Sequence, residues 1–287
     1  MKFSKFTKRV SSLMLAVALI LSLTIPALAA SPGTDSTNTV KLLAAASTRY
    51  SLGERVGTEY PVGTLLRNFE DGTGFKVDVT YDSSGNLLNL MRNNPNIADI
   101  FISADLGRMD TAISESLIAG STKYELLGNK LVLIGNKTSG PAALTYAGLQ
   151  TWLQTVSVPA KPFAAGDPLV VPAGTYTKQV LGDTVWNAIS SKTELYSNVT
   201  NVLNAVADNV KPIGSVYETD AATEKASVNV LDTKDIGIIY PIGITQAAVT
   251  AGSDRLSEAE DLVDFLIEDI DKTDGSSIFQ DFGFSKP

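Results

Sequence analysis

The stretch Val40-Lys41-Leu42-Leu43-Ala44-Ala45-Ala46-Ser47-Thr48 joins a short apolar run to a cluster of small and hydroxyl residues with nothing between them. A run of this length reads as a buried strand, and small polar residues at its end read as the start of a helix. The same succession recurs at Tyr81-Asp82-Ser83-Ser84-Gly85 before Asn86-Leu87-Leu88, at Val171-Pro172-Ala173-Gly174-Thr175-Tyr176, and at Ser197-Asn198-Val199-Thr200 before Asn201-Val202-Leu203. Working outward, further strand candidates are residues 76–81, 97–102, 130–134, 213–217 and 236–239, and helical patterns cover 87–92, 175–189, 199–207 and 258–270. Strands and helices therefore alternate, which predicts an α/β fold with helices covering mostly parallel sheets.

The four strand-to-helix junctions share a chemistry. The first turn of a helix carries N–H groups with no intrahelical partner and a partial positive charge. Ser and Thr add hydroxyl donors, and Gly lets the backbone approach a ligand closely. Each junction alone reads as an ordinary cap or as close packing. Several of them converging would make an anion site, and spacing alone does not establish convergence.

The N-terminus has the three parts of a secretory signal peptide: a basic head of Lys2, Lys5, Lys8 and Arg9, an apolar run over 13–25, and small residues at Ala27-Leu28-Ala29. Residues 1–29 are therefore expected to be removed, with 30–38 a Ser/Thr/Gly/Pro-rich disordered leader. The full chain has 23 basic against 31 acidic residues, a formal charge of −8. Losing the four basic residues of the head and no acidic ones leaves 19 against 31, or −12. An acidic chain of this kind argues against nucleic acid as a partner, since phosphate binding leans on clustered Lys and Arg.

The chain has no Cys and no His. That excludes a Ser-His-Asp triad and a Cys nucleophile, and removes the residues on which zinc sites normally draw. It also excludes a lipid-anchor cysteine, so the expected location is the periplasm, with the mature chain free. No GxxxxGK[ST] or GxGxxG string occurs. Asp269-x-Asp271 near Asp274-Gly275 hints at a calcium loop, but an EF-hand needs Gly at its sixth position, where Asp274 stands. A solvated acidic turn is the better reading. No spacing singles out a pair of carboxylates for acid–base work.

At these same junctions the chain resembles the periplasmic molybdate-binding proteins of ABC importers. The resemblance is carried by Ala44-Ala45-Ala46-Ser47, Ser83-Ser84-Gly85, Ala98-Asp99-Ile100-Phe101-Ile102-Ser103-Ala104-Asp105, Leu126-Leu127-Gly128-Asn129-Lys130-Leu131-Val132-Leu133 and Val171-Pro172-Ala173-Gly174-Thr175-Tyr176. It continues through Gly214-Ser215-Val216-Tyr217, Tyr240-Pro241-Ile242 and the closing Ile278-Phe279-Gln280-Asp281-Phe282-Gly283-Phe284. It implies a two-lobed, periplasmic-binding-protein-like α/β fold with the ligand in the interlobe cleft. Lobe I would be 39–127 with 240–287 and lobe II 128–239, with crossings near 126–133 and 236–242 as the hinge.

Carried over residue by residue, the resemblance implies hydroxyl donors at Ser47 and Ser84, backbone N–H donors at Ala173 and Val199, and a phenolic donor at Tyr217. Ser83 is the alternative to Ser84 if the serine pair is offset by one. The implied function is capture of molybdate or tungstate for a membrane permease, by a monomer with no cofactor and no free metal ion. Other readings are a receptor for another oxyanion such as sulfate, a secreted carboxylate-dependent enzyme, and an adhesion or scaffold domain. The chain departs from the family pattern in extra sequence at 49–60, where Arg49 lies close enough to Ser47 to approach an anion, and again near 269–274.

Overall fold

The computed structural model describes residues 38–156 and 159–287. The expected signal peptide and all but the last residue of the expected leader lie outside the described residues. Eight strands follow one another: β1 (Thr39–Ala45), β2 (Lys76–Asp82), β3 (Ile100–Ile102), β4 (Tyr124–Asn136), β5 (Phe163–Gly166), β6 (Thr193–Tyr196), β7 (Ile213–Tyr217) and β8 (Val228–Ile244). They form one sheet in the order β2-β1-β3-β8-β4-β7-β5-β6. In one half β1 runs parallel to β2 and β3; in the other β5 runs parallel to β6 and β7. The antiparallel pair β8–β4 stands between the two triplets, in register from Tyr124↔Ile242 to Asn136↔Val228.

The apolar runs are explained by burial on both faces, as parallel sheets require. In β1, Val40, Leu42 and Ala44 belong to the main core, while Leu43 faces a smaller core on the other side with Leu87, Met91 and Met109. Strand β3 divides in the same way, with Ile100 and Ile102 in the main core and Phe101 in the smaller one. Covering helices come from the intervening segments: α1 (Arg49–Leu52), α2 (Leu65–Thr73), α3 (Ser84–Asn93), α4 (Leu106–Ser114), α5 (Leu149–Thr155), α6 (Pro172–Ile189) and α7 (Val199–Ala207). After these come α8 (Glu218–Thr223), α9 (Gln246–Ala251), α10 (Ser253–Asp271) and α11 (Ile278–Asp281). Side-chain caps start α3 at Ser83, α4 at Asp105 and α7 at Asn198.

The α/β expectation holds, and the differences from it lie in particular elements. Strands β4 and β8 are far longer than the expected 130–134 and 236–239. The first half of β8 is largely exposed or half-buried, so Asn229, Asp232, Lys234 and Asp235 interrupt its apolar pattern. Strands β5 and β6 escape sequence reading because each has only four residues, one Ala/Gly-rich and the other carrying Glu194. Strand β3 is shorter than 97–102, and α6 begins at Pro172 and is broken at Gly182, where φ is 75°.

The acidic turn near residue 270 serves the fold. Asp269, 1% exposed, accepts from Lys272 Nζ at 2.9 Å, Ser277 Oγ at 3.1 Å and the backbone N–H groups of Ile278 and Phe279 at 3.2 and 2.9 Å. Asp271 pairs with Lys286, and Asp274 accepts from Ser276. Each carboxylate thus has a protein partner, and Asp269 ties α10 to α11. Removing it strands several buried donors, so Asp269→Ala is expected to cost about 3 kcal/mol of stability, measured by urea denaturation.

Candidate functional site

In parallel α/β sheets, ligands lie beyond the carboxyl ends of the strands. Five such ends meet around one small cavity in this chain. Ser47 follows β1, Ser84 follows β2, Ala173 follows β5, Val199 follows β6, and Tyr217 closes β7. All five line a cavity of about 10 Å³, together with Ala104 beyond β3. That is far below the several hundred Å³ usual for drug-sized ligands, so the walls close on a space for one small group at most. The residues named from the sequence are therefore brought together, from both halves of the sheet.

Each contributes through its local structure. Ala173 is the second residue of α6, after Pro172, and Val199 is the first of α7, so neither N–H has a partner within its helix. Gly174 lets the start of α6 sit against β5: a Cβ there would lie 2.1 Å from Gly166 O. Ser83 and Ser84 divide their tasks. Ser83 Oγ accepts from Asn86 N–H as the cap of α3, while Ser84 Oγ accepts from Ala104 N–H at 2.9 Å. Ser47 Oγ lies 2.9 Å from Tyr240 Oη. The Tyr217 hydroxyl is buried without a hydrogen-bond partner, and burial holds its ionisation well above the ordinary range, so it remains an O–H donor.

Among the described residues, no Lys, Arg, Asp or Glu lines the cavity. Arg49 is turned elsewhere: it pairs with Glu54 at 2.6 Å and lies over the Tyr81 ring, bordering a separate, open depression. The approach of Arg49 to an anion at Ser47 is thus not the arrangement found. Sequence reading assigned no role to Ala104, whose N–H orients Ser84, nor to Tyr240 and Asn129 behind Ser47. Tyr240-Pro241 was visible only as part of the resemblance, because a buried tyrosine in a strand reads as core.

The two halves also touch directly over the cavity. Gly85 N–H donates to Val170 O at 2.9 Å, and a Cβ at position 85 would lie 2.5 Å from that oxygen. Arg108, ion-paired with Asp105, reaches Pro168 O at 3.3 Å.

Asp220 lies close behind. It is fully buried, accepts from Tyr217 N–H at 3.3 Å through Oδ2, and has no partner for Oδ1. Burial pushes its carboxyl up to about 7, opposed by the Tyr217 bond. A folded-state value above the unfolded one means the folded chain holds the proton more tightly. The associated stability is present below the ordinary value of 3.8 and is lost as pH rises towards 7. Asp220→Asn, neutral throughout, should therefore gain on the native chain over that window, by on the order of 3 kcal/mol at pH 8. Urea denaturation at pH 4 and pH 8 measures the difference.

Two half-sheets that meet around a small cavity rimmed by hydrogen-bond donors are the arrangement of a binding protein. Residues 56–285 match the bacterial extracellular solute-binding proteins, and the chain belongs to that family. It is 34% identical over 154 residues to the molybdate-binding protein ModA of Escherichia coli, covering 52% of this chain and 59% of that protein. It is 28% identical over 193 residues to the ModA of Haemophilus influenzae, covering 66% and 70%. The fold is that of the periplasmic molybdate-binding protein of Azotobacter vinelandii, at 17% identity and a TM-score of 0.63 over 86% of this chain and 99% of the other.

Proposed function

We propose that the chain is an exported receptor that captures molybdate or tungstate and delivers it to the permease of an ABC importer. The observation that carries this reading is the cavity itself. Three hydroxyls and the free N–H groups of two helix starts converge on one small space, with no ionisable carboxyl or basic side chain among them. The names of the E. coli and H. influenzae relatives point to the same ligand.

A tetrahedral dianion buried without partners would carry a large desolvation cost. Converging donors offset it, because hydrogen bonds to a charged acceptor are roughly twice as strong as neutral ones. A lining that offers donors and no carboxylate disfavours hydrogen phosphate, whose own proton needs an acceptor. Sulfate carries no proton and is distinguished by size, since metal–oxygen bonds are longer than sulfur–oxygen bonds. Molybdate and tungstate are nearly equal in size and both fit this reading. The metal enters as part of the oxyanion, and the receptor works as a monomer in the periplasm, without a cofactor and without catalysing a reaction.

The ligand would bridge lobe I (39–127 and 240–287) and lobe II (128–239), and so favour the closed arrangement by its differential affinity for it. The permease would read that closure. Calorimetric titration with molybdate, tungstate, sulfate and phosphate tests the reading: tight binding of the first two is expected, and binding of none of the four would overturn it. Ser84→Ala should weaken molybdate at least about tenfold by removing a donor to a charged group, with the circular dichroism spectrum unchanged. Gly85→Ala touches no ligand, yet its methyl meets Val170 O. It should also weaken molybdate, and small-angle scattering with saturating molybdate should show a more open chain than the native one.

A further inference from the structure

Behind Ser47, on the side away from the cavity, lies a buried polar chain that runs through both crossing strands. Asn129 on β4 is 6% exposed, Tyr240 on β8 is 0% exposed and Ser47 is 4% exposed. Asn129 Oδ1 accepts from Lys130 N–H at 2.8 Å, which fixes the orientation of the amide. Its Nδ2 therefore points the other way, donating to Thr219 Oγ1 at 2.9 Å and to Tyr240 Oη at 3.2 Å. The phenolic oxygen is thus already an acceptor. Its own hydrogen has one place to go: among the described residues the hydrogen bonds at Tyr240 Oη are those with Asn129 and Ser47, the latter at 2.9 Å, while the neighbouring Tyr217 hydroxyl lies outside hydrogen-bond geometry.

Were Ser47 to donate to Tyr240, the phenolic O–H would be buried with no acceptor, an arrangement that proteins avoid. The order that satisfies every group is Asn129 N–H to Tyr240 O, then Tyr240 O–H to Ser47 O. It leaves the Ser47 hydrogen as the only unassigned one, on a residue that lines the cavity. Ser84 reaches the same condition by a different route, since Ala104 N–H occupies its oxygen and leaves its hydrogen free. Burial, reinforced by the nearby Asp220, keeps Tyr240 protonated far above neutral pH, with the neighbouring polar groups of Ser47, Asn129 and Tyr217 opposing only in part, so it remains a donor.

We propose that Tyr240, oriented by Asn129, is the positioning residue that sets the proton polarity of the site, making Ser47 a donor to the bound oxyanion and thereby rejecting oxyanions that carry a proton of their own. This deepens the oxyanion reading and rests on it. A serine hydroxyl with no bonded partner can turn and accept; with Tyr240 donating to one lone pair, the Ser47 hydrogen is turned into the cavity, where a ligand oxygen is the acceptor it meets and a ligand O–H would face it. Tyr240 thus selects by protonation state without touching the ligand, while cavity size selects between sulfate and the larger oxyanions.

Tyr240→Phe deletes the hydroxyl and keeps the ring that packs edge-on against Tyr217 and Phe284, at centroid distances of 5.6 and 5.5 Å. With its oxygen released, Ser47 can rotate to accept a phosphate O–H. Calorimetric titration at pH 8 with molybdate and with phosphate is expected to show two changes together. Molybdate weakens by about tenfold, the loss of one oriented charge-assisted bond, and the ratio of phosphate to molybdate dissociation constants narrows by more than that factor because phosphate binding strengthens.

Equal weakening of both ligands, with the ratio unchanged, would reduce Tyr240 to a packing role and overturn the proposal. So would unchanged affinity for both. If the native chain binds none of the oxyanions, the underlying reading fails first and this one falls with it. Asn129→Asp provides the second route should Tyr240→Phe not fold: a carboxylate oxygen in place of the amide N–H accepts the Tyr240 O–H, Tyr240 Oη can then accept from Ser47, and the same narrowing of the ratio is expected.

Discussion

The antiparallel pairing of β4 with β8 is the constraint on which the rest of the molecule depends. Each strand begins in one half of the sheet and ends in the other, and the two are paired from Tyr124↔Ile242 to Asn136↔Val228. Every site residue stands at the end of a parallel strand in one triplet or the other, so the distance between Ser84 and Ala173 is set by how these two strands lie together. The ladder is interrupted by register shifts between Glu125 and Leu127, between Asn129 and Leu131, and between Leu133 and Ile134. Such irregularities bend and twist a ladder locally. The second of them falls beside Asn129, and the C-terminal segment pairs there too, Gly128 exchanging hydrogen bonds with Ser285. A row of edge-on rings from Tyr217 through Tyr240 and Phe284 to Phe279 packs the same crossing. The crossing is therefore the join between the halves, and through Tyr240 it also supports Ser47 from behind.

An acidic chain is an unpromising host for a dianion when judged by net charge, which is −8 over the full sequence. Two length scales resolve this. Exposed carboxylates more than about 8–10 Å away are largely screened at physiological salt, whereas hydrogen-bond donors at contact inside a closed cavity are screened little. Full positive charges at the site would attract anions of every kind and offer little basis for choosing among them. Oriented N–H and O–H groups act only on an acceptor that fits between them. The price is geometric, because such donors help only if none turns inward to satisfy itself. Here Ser84 is fixed by Ala104 and Ser47 by Tyr240, while Tyr217 is left without a partner.

How much of this was legible in the sequence follows from what each residue does. The strand-to-helix junctions were readable because an apolar run followed by Ser, Asn or Gly has a local cause in strand burial and helix capping, and each junction does lie at an end of the sheet. Convergence was not readable. Nothing within residues 43–48 specifies that they face residues 171–176, and only the resemblance brought Ser47, Ser84, Ala173, Val199 and Tyr217 into one set. The family match begins at residue 56, so β1 and Ser47 lie outside it. Their place at the cavity rests on the pairing of β1 between β2 and β3. The polar chain behind Ser47 was illegible for a related reason: Asn129 and Tyr240 are far apart in sequence, and each taken alone resembles an interruption in a strand or a piece of core.

Residues 49–60 have a physical role apart from the cavity. Strand β2 is an edge of the sheet, and an edge exposes backbone groups that invite pairing with another chain. Tyr60, 2% exposed, donates its hydroxyl to Val77 O at 2.8 Å, and Arg55 donates to the same oxygen at 2.7 Å. Arg55 also pairs at 2.6 Å with Glu70, which in turn accepts from Val77 N–H. Both backbone groups of Val77 are thus satisfied by side chains instead of by another strand, and the guanidinium lies over the Tyr60 ring. Beyond Leu52 the segment turns outward along α2 and β2, while Ser47 is held from the opposite side by a residue of β8. That separation means that residues 53–60 answer to the edge of the sheet, while Ser47 answers to the crossing.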